Sequence, residues 1–206
     1  MPTPSTVFLV DDDASVRRAL ARLIKSAGYQ VQTFASAREF LDNGCHSEAP
    51  ACLVLDVRMP GLSGIDLQRE LKTTNLILPI IFITGHGDIP MTVNAMKAGA
   101  VDFLPKPVRD TTLLPAIAQA LARALRERGE RDELEDIQNR LDTLTPRERE
   151  VMALVARGWL NKQIAFELGT VEKTIKVHRA RVMEKMKVAS VAQLVRVAER
   201  AGIDKM

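Results

Sequence analysis

Across its first 125 residues the chain alternates short apolar runs with amphipathic stretches, and this alternation restricts the fold more than any other feature. Runs such as Val7-Phe8-Leu9-Val10 and Ile80-Ile81-Phe82-Ile83 are far too short to span a membrane and have the length of buried strands. The pattern predicts strands near 7–10, 30–34, 52–55, 80–83 and 101–104. Between the first two, Val16, Ala19, Leu20, Leu23, Ile24 and Ala27 recur at helical spacing, and Gly28 follows as a C-cap. Five such β/α units make an α/β doubly wound, five-stranded parallel sheet.

From about Pro115 the pattern changes to one long helix rich in Ala, Leu, Arg and Glu. Leu134, Ile137, Leu141 and Leu144 are spaced by three, four and three, a coiled-coil seam of under two heptads; an exposed linker helix without a partner is an equal alternative. Gly129 is expected to weaken or bend this helix, at a cost of about 1 kcal/mol relative to Ala. Thr145 can cap and Pro146 suits a first helical turn, after which the chain reads as four short helices. The expected division is therefore 1–125, a linker helix over 126–141, and a small all-α domain over 142–206.

Charge follows this division. The net charge is +3, yet residues 1–125 balance 12 basic against 12 acidic groups, residues 126–141 carry −2, and residues 142–206 hold 13 against 8, or +5. The excess suits a polyanion partner for the C-terminal domain alone, although a solvated basic surface is the ordinary alternative. Cys45 and Cys52 match neither a metal pair nor a disulfide framework and read as free thiols in a reducing compartment. No signal peptide or membrane span is found, so a cytoplasmic location is expected.

In an open parallel sheet, chemistry gathers beyond the carboxyl ends of the strands. Here strand one runs into Asp11-Asp12-Asp13, strand three into Asp56, strand four into Thr84 and strand five into Lys106-Pro107. Clustered carboxylates repel one another, and a hard dication such as Mg2+ relieves that repulsion. Asp56, alone at the end of a buried strand, is the natural nucleophile for an incoming phosphoryl group. Mg2+ and Lys106 would neutralise the phosphoryl oxygens, and Thr84 can donate its hydroxyl to the phosphate once formed. Asp13 reads as the N-cap of the next helix, and Asp66, Asp88 and Asp102 as ordinary surface or capping acids.

Near the other end, residues 161–169 read as a short helix closed by Gly169, and Glu172 to about Met186 as a second. Ala165 is small enough for the two to cross closely, with Ile175, Val182 and Met186 facing inward, which is helix-turn-helix geometry. Outward, Lys173, Lys176, Arg179, Lys185 and Lys187 can reach phosphates or guanine edges, Thr174 can bond phosphate, and Val177 can touch a thymine methyl. A helical interaction module with a basic face is the plainer alternative.

Residues 5–125 resemble the receiver domains of two-component response regulators. The matching motifs are Val-Asp-Asp at 10–12, Leu-Asp-Val-Arg-Met-Pro-Gly-Leu-Ser-Gly at 55–64, Thr-Gly-His-Gly-Asp at 84–88, Met-Lys-Ala-Gly-Ala at 96–100 and Lys-Pro at 106–107. Residues 142–200 resemble the LuxR-type helix-turn-helix through Leu-Thr-Pro-Arg-Glu-Arg-Glu-Val at 144–151, Asn-Lys-Gln-Ile-Ala at 161–165 and Lys-Thr-Ile-Lys-Val-His at 173–178. Together they look like the FixJ/NarL class of transcription regulators.

The resemblance implies that Asp56 is the phosphoacceptor. Asp12 and Asp56 would bind Mg2+ directly, Asp11 through water, and the Arg58 carbonyl would complete the protein ligands. Thr84 and Phe103 would form a switch pair, and Lys106 would contact the phosphoryl group and precede a cis proline. It further implies a DNA-binding regulator rather than an enzyme, with a sensor histidine kinase, promoter DNA and RNA polymerase as partners and a homodimer on phosphorylation. Three departures stand out. Phe103 replaces a frequent tyrosine, Leu160 a frequent Ser or Thr cap, and Thr170-Val171 the usual apolar-then-Ser/Thr order. The last helix opens with a Ser190/Gln193 capping box and either pairs two DNA-bound subunits, as in the family, or packs on its own domain.

Three competing readings remain. A phosphatase resembling haloacid dehalogenases needs a second acid two residues after the nucleophile, where Arg58 stands. An RNA-binding output would lack the spacing at 161–186. A receiver whose DNA binding ignores phosphate keeps the fold and abandons the switch.

Overall fold

The computed structural model describes residues 5–43, 49–73, 76–85 and 89–203. Cys45 and the His86–Asp88 portion of the 84–88 motif lie outside the described residues. The chain divides into two compact units, Met1–Arg128 and Gly129–Met206.

In the first unit, five strands form one parallel sheet: β1 (Thr6–Val10), β2 (Gln30–Phe34), β3 (Ala51–Asp56), β4 (Ile80–Thr84) and β5 (Asp102–Pro105). Their order is β2-β1-β3-β4-β5, the doubly wound arrangement that the sequence implies. β1, β3 and β4 are buried along their whole length, which is why they are near-continuous apolar runs, whereas the edge strand β2 is largely exposed and polar.

Successive residues of each inner strand point to opposite faces. Phe8, Val10, Leu53, Leu55 and Phe82 pack beneath α2 (Ala37–Asn43), α3 (Gly64–Lys72) and α4 (Ile89–Lys97). Val7, Leu9, Val54, Ile81 and Ile83 pack against α1 (Ala14–Ser26) and the first half of α5 (Asp110–Asp142). Asp13 caps α1, accepting from the Ser15 and Val16 backbone N–H groups at 2.7 and 3.1 Å. Ala19 and Ala27, read as part of the apolar face of α1, are exposed; Leu20 and Ile24 carry its burial.

The second unit contains the end of α5 together with α6 (Pro146–Ala156), α7 (Asn161–Glu167), α8 (Glu172–Lys185) and α9 (Val191–Arg200). Thr145 and Glu148 form a capping box at the start of α6. The Leu134 seam is corrected here. Ile137, Leu141 and Leu144 are buried in this unit's own core beside Val151, Ile164 and Val182, leaving only Leu134 exposed. The seam was therefore a helix face completing a small domain, not a coiled coil or a partnerless linker. Gly129 lies within α5, which spans 33 residues. Leu194 and Ala198 of α9 are likewise buried in this core.

The C-terminal unit thus includes residues ahead of 142 in its core. Trp159, the chain's single tryptophan, packs against that core and reports its unfolding by fluorescence. Leu141→Ala is expected to destabilise the Trp159 transition by about 2–5 kcal/mol, the usual range for a buried leucine. A fragment starting at 129 should hold a cooperative Trp159 transition that one starting at 142 lacks. Equal transitions in both fragments would contradict the assignment.

Candidate functional site

The carboxyl ends of β1, β3, β4 and β5 bring Asp11, Asp56, Thr84 and Lys106 to one rim. Register explains the convergence: Val10 lies opposite Leu55, Asp56 opposite Ile83, and Thr84 opposite Pro105. The Lys106 N–H donates to the Thr84 carbonyl at 2.7 Å, extending the ladder one residue beyond β5. The Lys106–Pro107 peptide is cis, as expected.

At the centre, Lys106 Nζ lies 2.7 Å from Asp11 Oδ2 and 2.6 Å from Asp56 Oδ2. Asp11 is fully buried, Asp56 and Thr84 nearly so, and Asp12 is exposed. The second oxygen of Asp11 accepts the Asp13 N–H at 2.9 Å, and that of Asp56 accepts the Arg58 N–H at 3.2 Å, which holds the Arg58 backbone against the cluster. Burial pushes the Asp11 carboxyl above its ordinary value, with neighbouring Asp56 adding to the rise against the pull of Lys106. Burial works against the Lys106 charge too, but its two carboxylate partners outweigh it and hold the proton more tightly.

Asp11, Asp12 and Asp56 each offer a carboxylate oxygen, all within 4.8 Å of one another. That is a hard, anionic oxygen set, two buried carboxylates and one exposed, and it fits a hard dication. Phe103 is half-buried on β5, its ring 6.0 Å from that of Phe82 and packed against the α2-α3-α4 core. The loop after β3 has a tight constraint of its own. A Cβ on Gly64 would stand 2.2 Å from the Asp56 carbonyl oxygen, so only glycine lets α3 begin against the end of β3.

In the second unit, α7 and α8 form the expected helix-turn-helix. Gly169, at φ +60, turns the chain after α7, and the Thr170 N–H returns to the Ala165 carbonyl at 2.9 Å. Ala165, Ile175, Val182 and Met186 are buried as read. Lys173, Lys176 and Val177 are exposed on α8, with Thr174 and Arg179 half-buried.

Lys185 departs from the outward set. Its ammonium binds Glu148 Oε2 at 2.6 Å and the Thr143 carbonyl at 2.9 Å, and Glu148 is itself buried. It is a brace between α8 and α6, because a buried carboxylate requires a cation. Arg181 was missed. It is exposed and follows Lys173 and Val177 at intervals of four, a helical stripe that the spacing alone would have shown. Leu160, Phe166 and Val171 stand exposed around the helix pair, and no side chain caps α8.

Comparison with known proteins covers both units. Residues 7–118 match the response regulator receiver domain, and residues 142–198 match the luxR family of bacterial regulatory proteins. Nodulation protein W of Bradyrhizobium diazoefficiens is 52% identical over 98% of this chain and 88% of its own length. The transcriptional regulatory protein FixJ of Rhizobium meliloti is 44% identical over 97% of this chain and 98% of its own. Among solved structures, the response regulator StyR is 50% identical with a TM-score of 0.85, covering 96% of this chain and 100% of that one. Full-length FixJ from B. japonicum is 43% identical with a TM-score of 0.59, covering 98% and 99%.

The Lys185 brace has a pH signature. Lys185 and the Thr145 N–H hold the Glu148 carboxyl down from 4.5 to about 2. A depressed folded value stabilises fully above about pH 4.5 and less as pH falls toward 2. The Trp159 melting temperature of Glu148→Gln is expected to lie below wild type at neutral pH and to converge on it as acid is added. A constant gap across that range would contradict the assignment.

Proposed function

The chain belongs to the response regulators that join a receiver to a LuxR-type DNA-binding domain, and from that premise we propose that phosphorylation of Asp56 controls its binding to promoter DNA. The family is one of transcription factors, not enzymes. The observation that carries the reading is the Lys106 ammonium bridging Asp11 and Asp56 at 2.7 and 2.6 Å. It supports the reading by setting the Asp56 carboxylate beside a cation at the end of β3.

An Asp56 oxygen attacks phosphorus as the bond to a sensor kinase's phosphohistidine nitrogen, or to a small phosphodonor, breaks. Mg2+, held by Asp12 and Asp56 with Asp11 and the Arg58 carbonyl supporting, would supply charge neutralisation at the phosphoryl oxygens. Lys106 passes from the Asp56 carboxylate to a phosphoryl oxygen, keeping its link to Asp11. Thr84 turns its hydroxyl toward the phosphoryl group, and Phe103 repacks beside it. Acetyl phosphate with Mg2+ is expected to add one phosphoryl group to the wild type and none to Asp56→Asn. Stoichiometric labelling of the Asn variant would overturn the assignment.

Repacking of Phe103 alters the surface of roughly residues 88–125, on which Val93, Met96 and Leu125 are exposed apolar groups. Pairing through that surface would set two α8 helices about one DNA turn apart, ~34 Å, on a two-fold-related site where RNA polymerase can be recruited. A tenfold activation needs only about 1.4 kcal/mol of preference for the pairing state. Lys173, Thr174, Lys176, Val177, Arg179 and Arg181 face the groove. Ile137 and Leu141, ahead of the expected boundary at 142, join the core of the C-terminal unit and would support its DNA-binding helices. Sedimentation with beryllofluoride is expected to give a dimer and without it a monomer. A monomer that still binds DNA tightly under beryllofluoride would contradict pairing.

A further inference from the structure

Asp11, Asp12 and Asp13 connect β1 to α1, and the two outer residues are tied down directly. The Asp11 N–H donates to the Phe34 carbonyl at 3.3 Å, and its carboxylate meets Lys106 at 2.7 Å and accepts the Asp13 N–H at 2.9 Å. The Asp13 carboxylate caps α1 by accepting from Ser15 and Val16. Asp12, between them, is exposed, yet its carboxylate converges with those of Asp11 and Asp56 to within 4.8 Å. Its restraint comes through the backbone. Arg17, one turn into α1, is half-buried and folds back so that its Nη1 donates to the Asp11 carbonyl at 2.5 Å. That carbonyl belongs to the planar peptide unit that ends at the Asp12 Cα, so holding its oxygen restrains the root of the Asp12 side chain.

We propose that Arg17 is a positioning residue for the cation site, holding the Asp11–Asp12 peptide so that the Asp12 carboxylate stays with the cluster. The inference rests on the reading of this rim as an Mg2+ site. Charge alone gives the opposite expectation, because a guanidinium near a dication repels it. The Arg17 charge does reach the rim. The Asp13 carboxyl lies below its ordinary value chiefly through the Val16 and Ser15 N–H bonds, and the charges of Lys106 and Arg17 add to the drop. Groups that orient a metal ligand are worth about 10–100-fold in metal affinity. The sign of the change on removing Arg17 therefore separates bracing from charge.

The test titrates full-length protein with Mg2+ alone by calorimetry, with no phosphodonor present. Asp12→Ala removes a carboxylate of the cluster and should lose most of the binding, which marks the rim as the place of the metal. Arg17→Met keeps the apolar stem and removes both donor and charge. It is expected to bind Mg2+ about tenfold more weakly than wild type. Arg17→Lys keeps a donor without the long planar fork and should fall between Arg17→Met and wild type. Arg18→Ala removes an exposed cation from the same turn of α1 and should bind like wild type.

Melting followed by circular dichroism without Mg2+ checks that each variant is folded. Wild-type or tighter Mg2+ binding by Arg17→Met would overturn the positioning role. Arg17→Lys binding no more tightly than Arg17→Met would overturn the hydrogen bond as its cause. Should Arg17→Met fail to fold, wild-type binding by Arg17→Lys would overturn the role in its place. Wild-type binding by Asp12→Ala would instead overturn the reading of the rim as the metal site.

Discussion

Two carboxylates buried side by side at the rim of a sheet repel one another, and each has given up several kcal/mol of hydration to be there. In this protein the Lys106 ammonium stands between Asp11 and Asp56 and makes their burial tolerable. Everything about the N-terminal unit that bears on function follows from keeping these three groups together. A phosphoryl group on Asp56, as proposed, would bring new oxygens that compete for the same ammonium. On the proposed function, a change of covalent state at one carboxylate would become a change of position for a lysine that follows β5, two strands away.

The backbone makes this possible. Parallel pairing aligns the carboxyl ends of β1, β3, β4 and β5, so residues far apart in sequence end on one rim. Gly64 allows α3 to start directly against the Asp56 carbonyl, and the Arg58 N–H fixes one carboxylate oxygen. In the C-terminal unit an analogous economy holds. The Lys185–Glu148 pair ties α8 to α6, and Arg140 Nη1 donates to the Met186 carbonyl at the end of α8 at 3.1 Å. The recognition helix is thus gripped at its carboxyl end by the last turns of α5, while its amino-terminal half remains exposed.

Much of this was legible in the residues. Strands buried on both faces must be short apolar runs, so β1, β3 and β4 announced themselves, and each acidic or basic residue directly following a run had to lie on the functional rim. What misled were helical faces whose partners are not visible in one dimension. Leu134, Ile137, Leu141 and Leu144 have the spacing of a dimer seam, yet three of them fill the core of their own domain, because a 3-4 repeat records which side of a helix is apolar and not what covers it. Lys185 failed for a related reason. Helical periodicity placed it near the outward cations, but Glu148, 37 residues earlier, is buried opposite it and claims its charge. Gly64 was visible as a motif letter only. Its reason, a carbonyl oxygen that any Cβ would clash with, needs coordinates.

On the proposed function, the Asp11–Lys106–Asp56 cluster governs the affinity of α8 for DNA. DNA binding by the full chain should be titrated on one selected duplex before and after acetyl phosphate with Mg2+, in wild type and in Lys106→Ala. The expected result is an affinity gain of about tenfold or more in the wild type and none in Lys106→Ala, even where Asp56 is labelled in both. Unchanged wild-type affinity at full phosphorylation, or an equal gain in Lys106→Ala, would contradict it.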